Sequence, residues 1–463
     1  MTDDWATFSA AGADLHLDLV GSGLRAGLKD ALREAVRAGR LAPGTRLPSS
    51  RSLAADLGVA RNTVADTYAE LIAEGWLTAK HGSGTRVATR VAPRKTAARA
   101  VSTPDYGLTP GPPNLAQFPR TQWLSAARRA LAVAPHDALG YGDPLGRPEL
   151  RGVLADYLAR VRGVYADPER VVICSGFHHG LTLVAQALRA RRVRAVAVES
   201  YGFGLYREVL SGAGLQVPPL VVDEYGARTT DLTAGPGAVL LTPAHQYPTG
   251  VALHPDRRAA AVDWARASGG LILEDDYDGE FRFDREPVGA LQGLDPDRVV
   301  YFGSASKSLI PGLRLGWMVL PQALLPAVAA AKGPVDSVSA LEQLTLAEFI
   351  SCGAFDRHVR SMRLRYRRRR DQLVAALAQR APGVRVSGLA AGLQVVLELP
   401  PGTEHSVVRA AAAHGLAVTG MGEFRYPMAD SVLPERDALV VGYAAPSDSA
   451  WAGALDALCS VMP

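Results

Sequence analysis

Beyond residue 105 the chain alternates short apolar runs with stretches of helical pattern, and this alternation constrains the fold more than any other feature. The runs are rich in β-branched residues and are apolar at consecutive positions, which is typical of strands buried on both faces. Strands separated by helices form a mainly parallel sheet that helices cover on both sides. The predicted strands are 170–174, 193–198, 238–242, 271–274, 299–303 and 315–320.

The rest of the 463 residues divides around this α/β part. We predict an N-terminal domain over 14–88, a linker over 89–104 that is rich in Arg, Lys, Ala, Pro, Ser and Thr without an apolar period, and a large domain over 105–463. Its last part, about 368–463, is predicted to be a small α+β lobe with strands at 393–399 and 438–443. The Arg-rich run 363–370 is interpreted as a solvated helix that links the lobes.

The N-terminal domain has the pattern of an α+β winged helix-turn-helix. Leu24, Leu28, Leu32 and Val36 recur every fourth residue and predict a helix over 23–37. A second short helix is predicted after a Ser49 or Ser50 cap and a third over 60–74. Two short strands, 76–79 and 85–88, then flank a Gly-rich turn.

The positive charge of the chain is confined to this part. The net charge is +4, and the first 100 residues carry 14 Lys+Arg against 10 Asp+Glu, whereas the remainder carries 36 of each. A basic module on a neutral body is the electrostatic pattern expected of nucleic-acid binding. The alternative is a small three-helix bundle used for protein contact.

Specific residues of this domain are suited to DNA. The first residues of the second helix of such a pair face base edges in the major groove, and here they include Arg61, Asn62 and Thr63. Arginine forms bidentate hydrogen bonds with the guanine edge, and asparagine does so with the adenine edge. Arg46 and Arg51 flank the preceding helix, where phosphates would lie. The wing tip, with His81 and Gly82, is narrow enough to approach a minor groove.

Four phrases of this domain resemble the DNA-binding domain of the GntR family of bacterial regulators. They are 44–51 (GTRLPSSR), 57–64 (LGVARNTV), 74–77 (EGWL) and 82–85 (GSGT). The resemblance implies DNA contacts from Arg51, Arg61, Thr63, His81 and Gly82.

The large domain carries groups that suit pyridoxal 5′-phosphate. A lysine in a dry pocket, such as Lys307 after a predicted strand, forms a Schiff base with an aldehyde. The hydroxyls of Ser304 and Ser306 and the guanidinium of Arg314 suit a phosphate.

Further candidates follow other predicted strands. The backbone N–H groups of Gly176, Phe177 and His178 would form an anion site at a helix N-terminus. A carboxylate at Asp275, or at Asp276 in reserve, would hold a pyridinium nitrogen protonated. Tyr277 would bond the ring hydroxyl and Phe203 would stack on the ring. Each piece alone has an ordinary structural explanation, but all lie where open α/β sheets bind ligands.

From about residue 108 onward the chain resembles a fold-type I aminotransferase, which has an α/β transferase fold that depends on pyridoxal 5′-phosphate (PLP). The matching phrases include YGDPxG at 141–146, PTG at 248–250 and SxSK ending at Lys307. With its N-terminal domain the whole chain resembles the MocR subfamily of GntR regulators, through 242–250 (TPAHQYPTG) and 274–282 (EDDYDGEFR). The resemblance implies that Lys307 forms the Schiff base, Asp275 binds N1, Tyr277 binds O3′, and Tyr141 reaches the cofactor phosphate of a neighbouring subunit.

The chain departs from working aminotransferases at two positions. Val440 stands where an arginine usually clamps the substrate carboxylate, and Tyr247, also a candidate cofactor contact, replaces the usual asparagine before Pro-Thr-Gly. Losing a bidentate clamp weakens substrate binding. We therefore expect no efficient transamination and no catalytic residue, and His178-His179 lacks the partners of a metal site.

Together these features predict a cytosolic, dimeric transcriptional regulator that responds to PLP, alone or with an amino compound, and binds a double-stranded DNA operator. Genes of vitamin B6 or amino-acid metabolism are plausible targets. Three widely spaced cysteines, an acidic N-terminus and the lack of a long apolar run argue against disulfides, a signal peptide and a membrane span. The alternatives are an active PLP-dependent aminotransferase with an accessory domain and a constitutive DNA-binding protein with a dead pocket.

Overall fold

The computed structural model describes residues 23–80, 84–89, 105–233, 235–283, 288–429 and 436–463, together with the backbone of two short strands near the N-terminus. The chain divides into two compact units, Met1–Val101 and Ser102–Pro463. Among the described residues no helix is long and apolar enough to cross a membrane.

The described part of the first unit contains three helices and two hairpins. Its elements are β1 (Trp5–Ala10), β2 (Ala13–Asp18), α1 (Leu24–Arg37), α2 (Ser50–Asp56), α3 (Arg61–Ala73), β3 (Leu77–Lys80) and β4 (Gly84–Val87). The Ser49 hydroxyl accepts a bond from the Ser52 N–H and caps α2, as predicted. The β1–β2 hairpin was not predicted.

Apolar side chains from all three helices and both wing strands form the core of this unit. Leu28, Leu53 and Val64 are at most 2% exposed, and the core also takes Leu77 and Val87, which pair across β3 and β4. The predicted first helix is confirmed, although Leu24, in its first turn, is 60% exposed and lies outside this core.

Ion pairs join the outer faces of α1 and α3. Lys29 Nζ lies 2.9 Å from Glu70 Oε2, and Arg33 Nε lies 3.0 Å from Glu74 Oε2. Arg25 also pairs with Glu70. Three basic side chains of α1 are therefore paired with carboxylates inside this unit, namely Arg25, Lys29 and Arg33.

The second unit is built on a seven-stranded sheet. Its strand order is β6-β14-β13-β12-β11-β7-β8, and β14 alone among these strands runs antiparallel to its neighbours. The first elements of this unit are β5 (Tyr106–Gly107), α4 (Arg120–Val133), α5 (Pro148–Arg162), β6 (Val171–Cys174), α6 (Phe177–Ala190), β7 (Val196–Glu199), α7 (Gly204–Gly212), β8 (Pro219–Leu220), β9 (Val222–Asp223), β10 (Gly226–Ala227), β11 (Ala238–Leu241), α8 (Pro255–Ser268), β12 (Leu271–Asp275), β13 (Val299–Ser304), α9 (Ala305–Ser308), β14 (Gly316–Val319), α10 (Leu325–Lys332) and α11 (Ala340–Ser351). The mainly parallel sheet predicted from the apolar runs is confirmed.

A second, antiparallel sheet of order β15-β16-β19-β18 forms the C-terminal part. The remaining elements are α12 (Ala354–Arg380), β15 (Arg385–Ser387), β16 (Gln394–Glu398), α13 (Glu404–Ala413), β17 (Leu416–Ala417), β18 (Thr419–Gly420), β19 (Ala438–Gly442) and α14 (Asp448–Val461). The long helix α12 contains the Arg-rich run. Within it Arg363 donates to the Glu280 carbonyl and Arg369 pairs with Asp448, so part of the run serves internal contacts.

Candidate functional site

A cavity of about 290 Å³ lies in the second unit where β12 and β13 end. This volume is near the lower end of the range of about 300–1,000 Å³ for small-molecule sites. Five of the predicted cofactor residues line it: Phe203, Tyr247, Asp275, Tyr277 and Lys307. Its other lining residues were missed by the sequence analysis, namely Pro110, Gly111, Pro112, Pro113, Tyr206 and Pro311.

Lys307 lies in α9, the single helical turn that follows β13. Its Nζ donates a hydrogen bond of 2.7 Å to the carbonyl oxygen of Gly111. Burial lowers the pKa of Lys307, although Asp278 and Asp275 oppose this shift. A lowered pKa increases the share of neutral amine, which is the form that attacks a carbonyl carbon.

The two adjacent aspartates at the end of β12, Asp275 and Asp276, have different surroundings. Asp275 lines the cavity and is 4% exposed, and burial raises its pKa well above the ordinary value. The Asp276 carboxylate instead binds Arg162 through two bonds of 2.6 and 3.0 Å and accepts a bond of 2.7 Å from the Tyr301 hydroxyl. Asp275 therefore faces the cavity, while the reserve candidate is held in a buried ion pair.

Tyr277 contacts a buried polar cluster. Its hydroxyl oxygen lies 2.9 Å from His245 Nδ1 and 3.1 Å from Gln394 Nε2, and the same Nδ1 lies 2.8 Å from Asp278 Oδ2. The sequence analysis missed His245, Asp278 and Gln394. The first two stand inside the phrases that carried the family resemblance, and that was the available signal.

Aromatic rings form one side of the cavity. Phe203 and Tyr206 lie edge to face with centroids 5.5 Å apart, and Tyr247 meets Tyr277 in the same manner at 5.7 Å. Phe177 does not line this cavity. Its ring packs on Tyr206, so Phe177 has only its backbone to offer an anion.

Of the predicted phosphate-binding groups, the Arg314 guanidinium lies next to Gly176 at the start of α6. Arg314 donates a bond of 2.6 Å to the Ser175 carbonyl, and its guanidinium lies 3.4 Å from where a side chain at Gly176 would begin. Gly176 has φ +81°, and a Cβ at Gly316 would lie only 2.7 Å from the Gly176 Cα, so the two glycines pack closely. Ser304, the last residue of β13, and Ser306, in α9, are half-buried, and His178 is exposed.

Tyr141 lies apart from these groups. It is 85% exposed and lines a separate cavity with Asp143 and Arg147. Its predicted contact is with a second subunit, and it stays a prediction.

In the first unit the predicted DNA contacts lie on the surface around α2 and α3. Arg61 and Asn62 begin α3 and are exposed, and Thr63 is half-buried. Arg46 and Arg51 are exposed on the approach to α2 and in its first turn. His81 and Gly82 lie outside the described residues.

Comparison with known proteins assigns both units to families. Residues 24–87 match the model of bacterial regulatory proteins of the gntR family, and residues 109–449 match aminotransferase class I and II. The chain is 33% identical over 405 residues to the HTH-type pyridoxine biosynthesis transcriptional regulator PdxR of Corynebacterium glutamicum, covering 86% of this chain and 88% of that protein. It is also 33% identical over 447 residues to the probable rhizopine catabolism regulatory protein MocR of Rhizobium meliloti, covering 90% and 89%. The chain belongs to the MocR-type regulators of the GntR family.

The structural comparison agrees with this assignment. An archaeal alanine:glyoxylate aminotransferase has the same fold, with a TM-score of 0.69, 24% identity and coverage of 77% of this chain and 90% of that one. As a MocR-type regulator the protein is a DNA-binding transcriptional regulator with an aminotransferase-type domain. That domain implies pyridoxal 5′-phosphate as its cofactor, as the sequence predicted.

The cavity of this MocR-type regulator fits that cofactor. It combines a buried primary amine, a buried carboxylate, a phenol and aromatic rings, namely Lys307, Asp275, Tyr277, Phe203 and Tyr247. These are the groups that an aldehyde, a pyridine nitrogen, a ring hydroxyl and a ring face require. Within the described residues no cluster of His, Cys, Asp or Glu is arranged to hold a metal ion.

Proposed function

We propose that this MocR-type regulator uses PLP as an effector, alone or with an amino compound, and not as the cofactor of an efficient transaminase. The buried amine of Lys307 beside Asp275, on a chain that also carries a winged helix-turn-helix, is the observation that carries this proposal. The residue at the clamp position supports it. Val440 is fully buried in β19, opposite Val396 of β16, and offers no charge to a substrate carboxylate.

Each side chain has a defined part in holding the cofactor. When bound, PLP supplies an aldehyde that captures an amine and a ring that withdraws electrons. Lys307 would provide that amine, Asp275 would pair with the ring nitrogen, and Tyr277 would donate to the ring oxygen. Phe203 would cover a ring face, and Arg314 with the first N–H groups of α6 would hold the phosphate.

The hydrogen bond from Lys307 to Gly111 supports a coupling between the occupancy of the cavity and the segment that follows the linker. Gly111 follows β5, which pairs with β17, and the Leu108 carbonyl accepts a bond of 2.8 Å from Gly442 N. This segment comes directly after the predicted linker in the chain. If the Lys307 amine holds the cofactor, it is no longer free to donate to Gly111, so cofactor binding would favour an arrangement of the protein without this bond.

We propose further that the protein acts as a homodimer, so that two winged helices meet paired half-sites. The pyridoxine biosynthesis regulator among its relatives supports target genes of vitamin B6 metabolism, and the probable rhizopine catabolism regulator supports target genes of a catabolic pathway.

The test uses full-length protein and a DNA duplex selected from a random library. We expect PLP to give a visible absorption band and to change duplex affinity about tenfold, the effect of about 1.4 kcal/mol of coupling. Lys307→Ala and Lys307→Arg should abolish both effects, because neither side chain forms an imine. Lys29→Ala, in the other unit, should keep the absorption band. A duplex affinity that PLP does not change in wild-type protein would disprove the proposal.

A further inference from the structure

A buried cluster behind the Tyr277 phenol has no part in the assignments above. His245, Asp278 and Gln394 are 3%, 2% and 2% exposed and come from three separate segments. The cluster is tightly packed, because any side chain at Gly392 would overlap both the His245 ring and the Asp278 carboxylate. Burial of this kind leaves the polar groups only one another to bond.

The donor and acceptor roles follow from chemistry. A carboxylate only accepts hydrogen bonds, so the contact of 2.8 Å between Asp278 Oδ2 and His245 Nδ1 requires a hydrogen on Nδ1. The Tyr277 oxygen, 2.9 Å from the same Nδ1, must then accept as well, in a three-centre bond. Gln394 Nε2 also donates to this oxygen, at 3.1 Å.

The other ring nitrogen agrees with this assignment. His245 Nε2 is buried and has no hydrogen-bond partner among the described residues. A hydrogen on Nε2 would therefore be a buried donor without an acceptor, which native proteins rarely tolerate. The tautomer with hydrogen on Nδ1 avoids that arrangement.

We propose that Asp278 and His245 are positioning residues that make Tyr277 a hydrogen-bond donor into the cavity. With both lone pairs of the phenol oxygen accepting, from His245 and Gln394, the O–H bond of Tyr277 is directed to a ligand. The inference rests on the proposed function, since the acceptor is the anionic ring oxygen of bound PLP. The groups that face Tyr277 are Asp278, His245 and Gln394 behind it and Asp275 and Tyr247 on the cavity side.

The first test needs no cofactor. The chain has ten histidines, and ¹⁵N spectra of histidine-labelled protein, with His245 assigned from the spectrum of His245→Gln, report the tautomer directly. We expect the Nδ1–H tautomer in the wild-type protein and the Nε2–H tautomer in Asp278→Asn, because replacing the carboxylate of such a pair by an amide reverses the tautomer. An Nε2–H tautomer in the wild-type protein overturns the inference, even if Asp278→Asn does not fold.

The second test follows the visible band of the PLP-loaded protein against pH. In Asp278→Asn the phenol turns to the bare Nδ1, the ring oxygen loses its donor, and the midpoint should rise by about one pH unit, a tenfold change in proton affinity. Tyr277→Phe should give the same rise, and the double variant should add nothing further. Asp256→Asn is the matched control, because Asp256 pairs with the exposed His254, and its midpoint should equal that of the wild-type protein.

The two failures are distinct. If the wild-type protein forms no visible band with PLP, the proposed function fails and this inference with it. If the band forms but Asp278→Asn titrates as the wild-type protein does, only the positioning role of Asp278 and His245 is overturned.

Discussion

At the scale of single residues, the neighbouring aspartates at the end of β12 differ in their surroundings. Asp276 neutralises the buried Arg162, while Asp275 lies in the wall of the cavity with its pKa raised by burial. Removing one partner of a buried ion pair leaves an uncompensated charge. The two positions therefore differ in what a neutral side chain does to the protein.

We predict opposite outcomes for the two asparagine variants. Asp276→Asn should lower the free energy of unfolding by about 3 kcal/mol, because Arg162 loses its counter-charge. Asp275→Asn should stay within about 1 kcal/mol of the wild-type protein, because a buried carboxylate is removed, yet it should bind PLP at least tenfold more weakly. Urea unfolding and PLP titration measure both. Equal destabilisation by the two variants would contradict the assignment of Asp275 to the cavity.

A second residue-scale prediction concerns the buried acid Glu199. Burial raises its pKa to about 7, although Thr242 and Gln246 donate to it. Between pH 4.5 and 7 the unfolded chain loses this proton while the folded protein keeps it, so the stability falls as the pH rises. Glu199→Gln should remove that fall and gain about 3 kcal/mol relative to the wild-type protein across this window.

Glu398 provides the control with opposite sign. Burial opposes the shift, but bonds from Arg436 and Ser387 lower the pKa of Glu398. Its contribution is therefore present above its unfolded pKa and is lost as the pH falls. Glu398→Gln should cost stability at pH 7 and less in acid. A Glu199→Gln variant whose stability runs parallel to that of the wild-type protein from pH 4.5 to 7 would refute the prediction.

At the scale of elements, the arginines of the first unit differ in whether they form ion pairs within the unit or are exposed. Arg33 of α1 is bound to Glu74, the residue that follows α3, whereas Arg61 at the start of α3 and Arg51 in α2 are exposed. Helix–helix ion pairs at a surface contribute little to stability, typically below about 1 kcal/mol. The exposed arginines are thus the ones whose loss should affect DNA.

We predict that Arg61→Ala weakens binding to a selected duplex by about 1–3 kcal/mol and relaxes preference at one base position. Arg51→Ala should weaken binding to all sequences alike and reduce the salt slope by about 1, since a phosphate contact is lost. Fluorescence anisotropy over a salt series measures both effects. Arg33→Ala serves as the control and should leave affinity unchanged. An Arg61→Ala variant with unaltered affinity and preference would remove α3 from the interface.

At the scale of the whole molecule, the aminotransferase-type unit combines the cavity at Lys307 with a valine at position 440, where an arginine was expected. The hydrophobic core takes up that position, with Val440 fully buried. Charge-assisted hydrogen bonds contribute about 1.5–3 kcal/mol each. A substrate carboxylate loses two of these when the clamp is missing.

We therefore predict negligible turnover by the PLP-loaded protein. With any amino acid and an acceptor keto acid, the rate should be about 10²-fold or more below that of a working aminotransferase assayed in parallel. Chromatographic detection of the new keto acid is the measurement, and Lys307→Ala sets the background. Steady production of keto acid above that background would show that the unit is an enzyme.

The sequence alone determined the elements and the chemical groups. Consecutive apolar β-branched residues are typical of buried strands, so the sheet was predictable, and local patterns placed Lys307 just after β13 and Arg61 at the start of α3. These are short-range properties that depend on residues a few positions apart.

Which side chains come into contact in the cavity and behind it depends on long-range packing. The choice of Asp275 over Asp276 depends on Arg162 of α5, more than a hundred residues earlier in the chain. The contact of Lys307 with Gly111 and the His245–Asp278 support of Tyr277 likewise join segments that no local pattern relates. Adjacent side chains at a strand end point to opposite sides, and long-range packing selects the side that becomes the cavity.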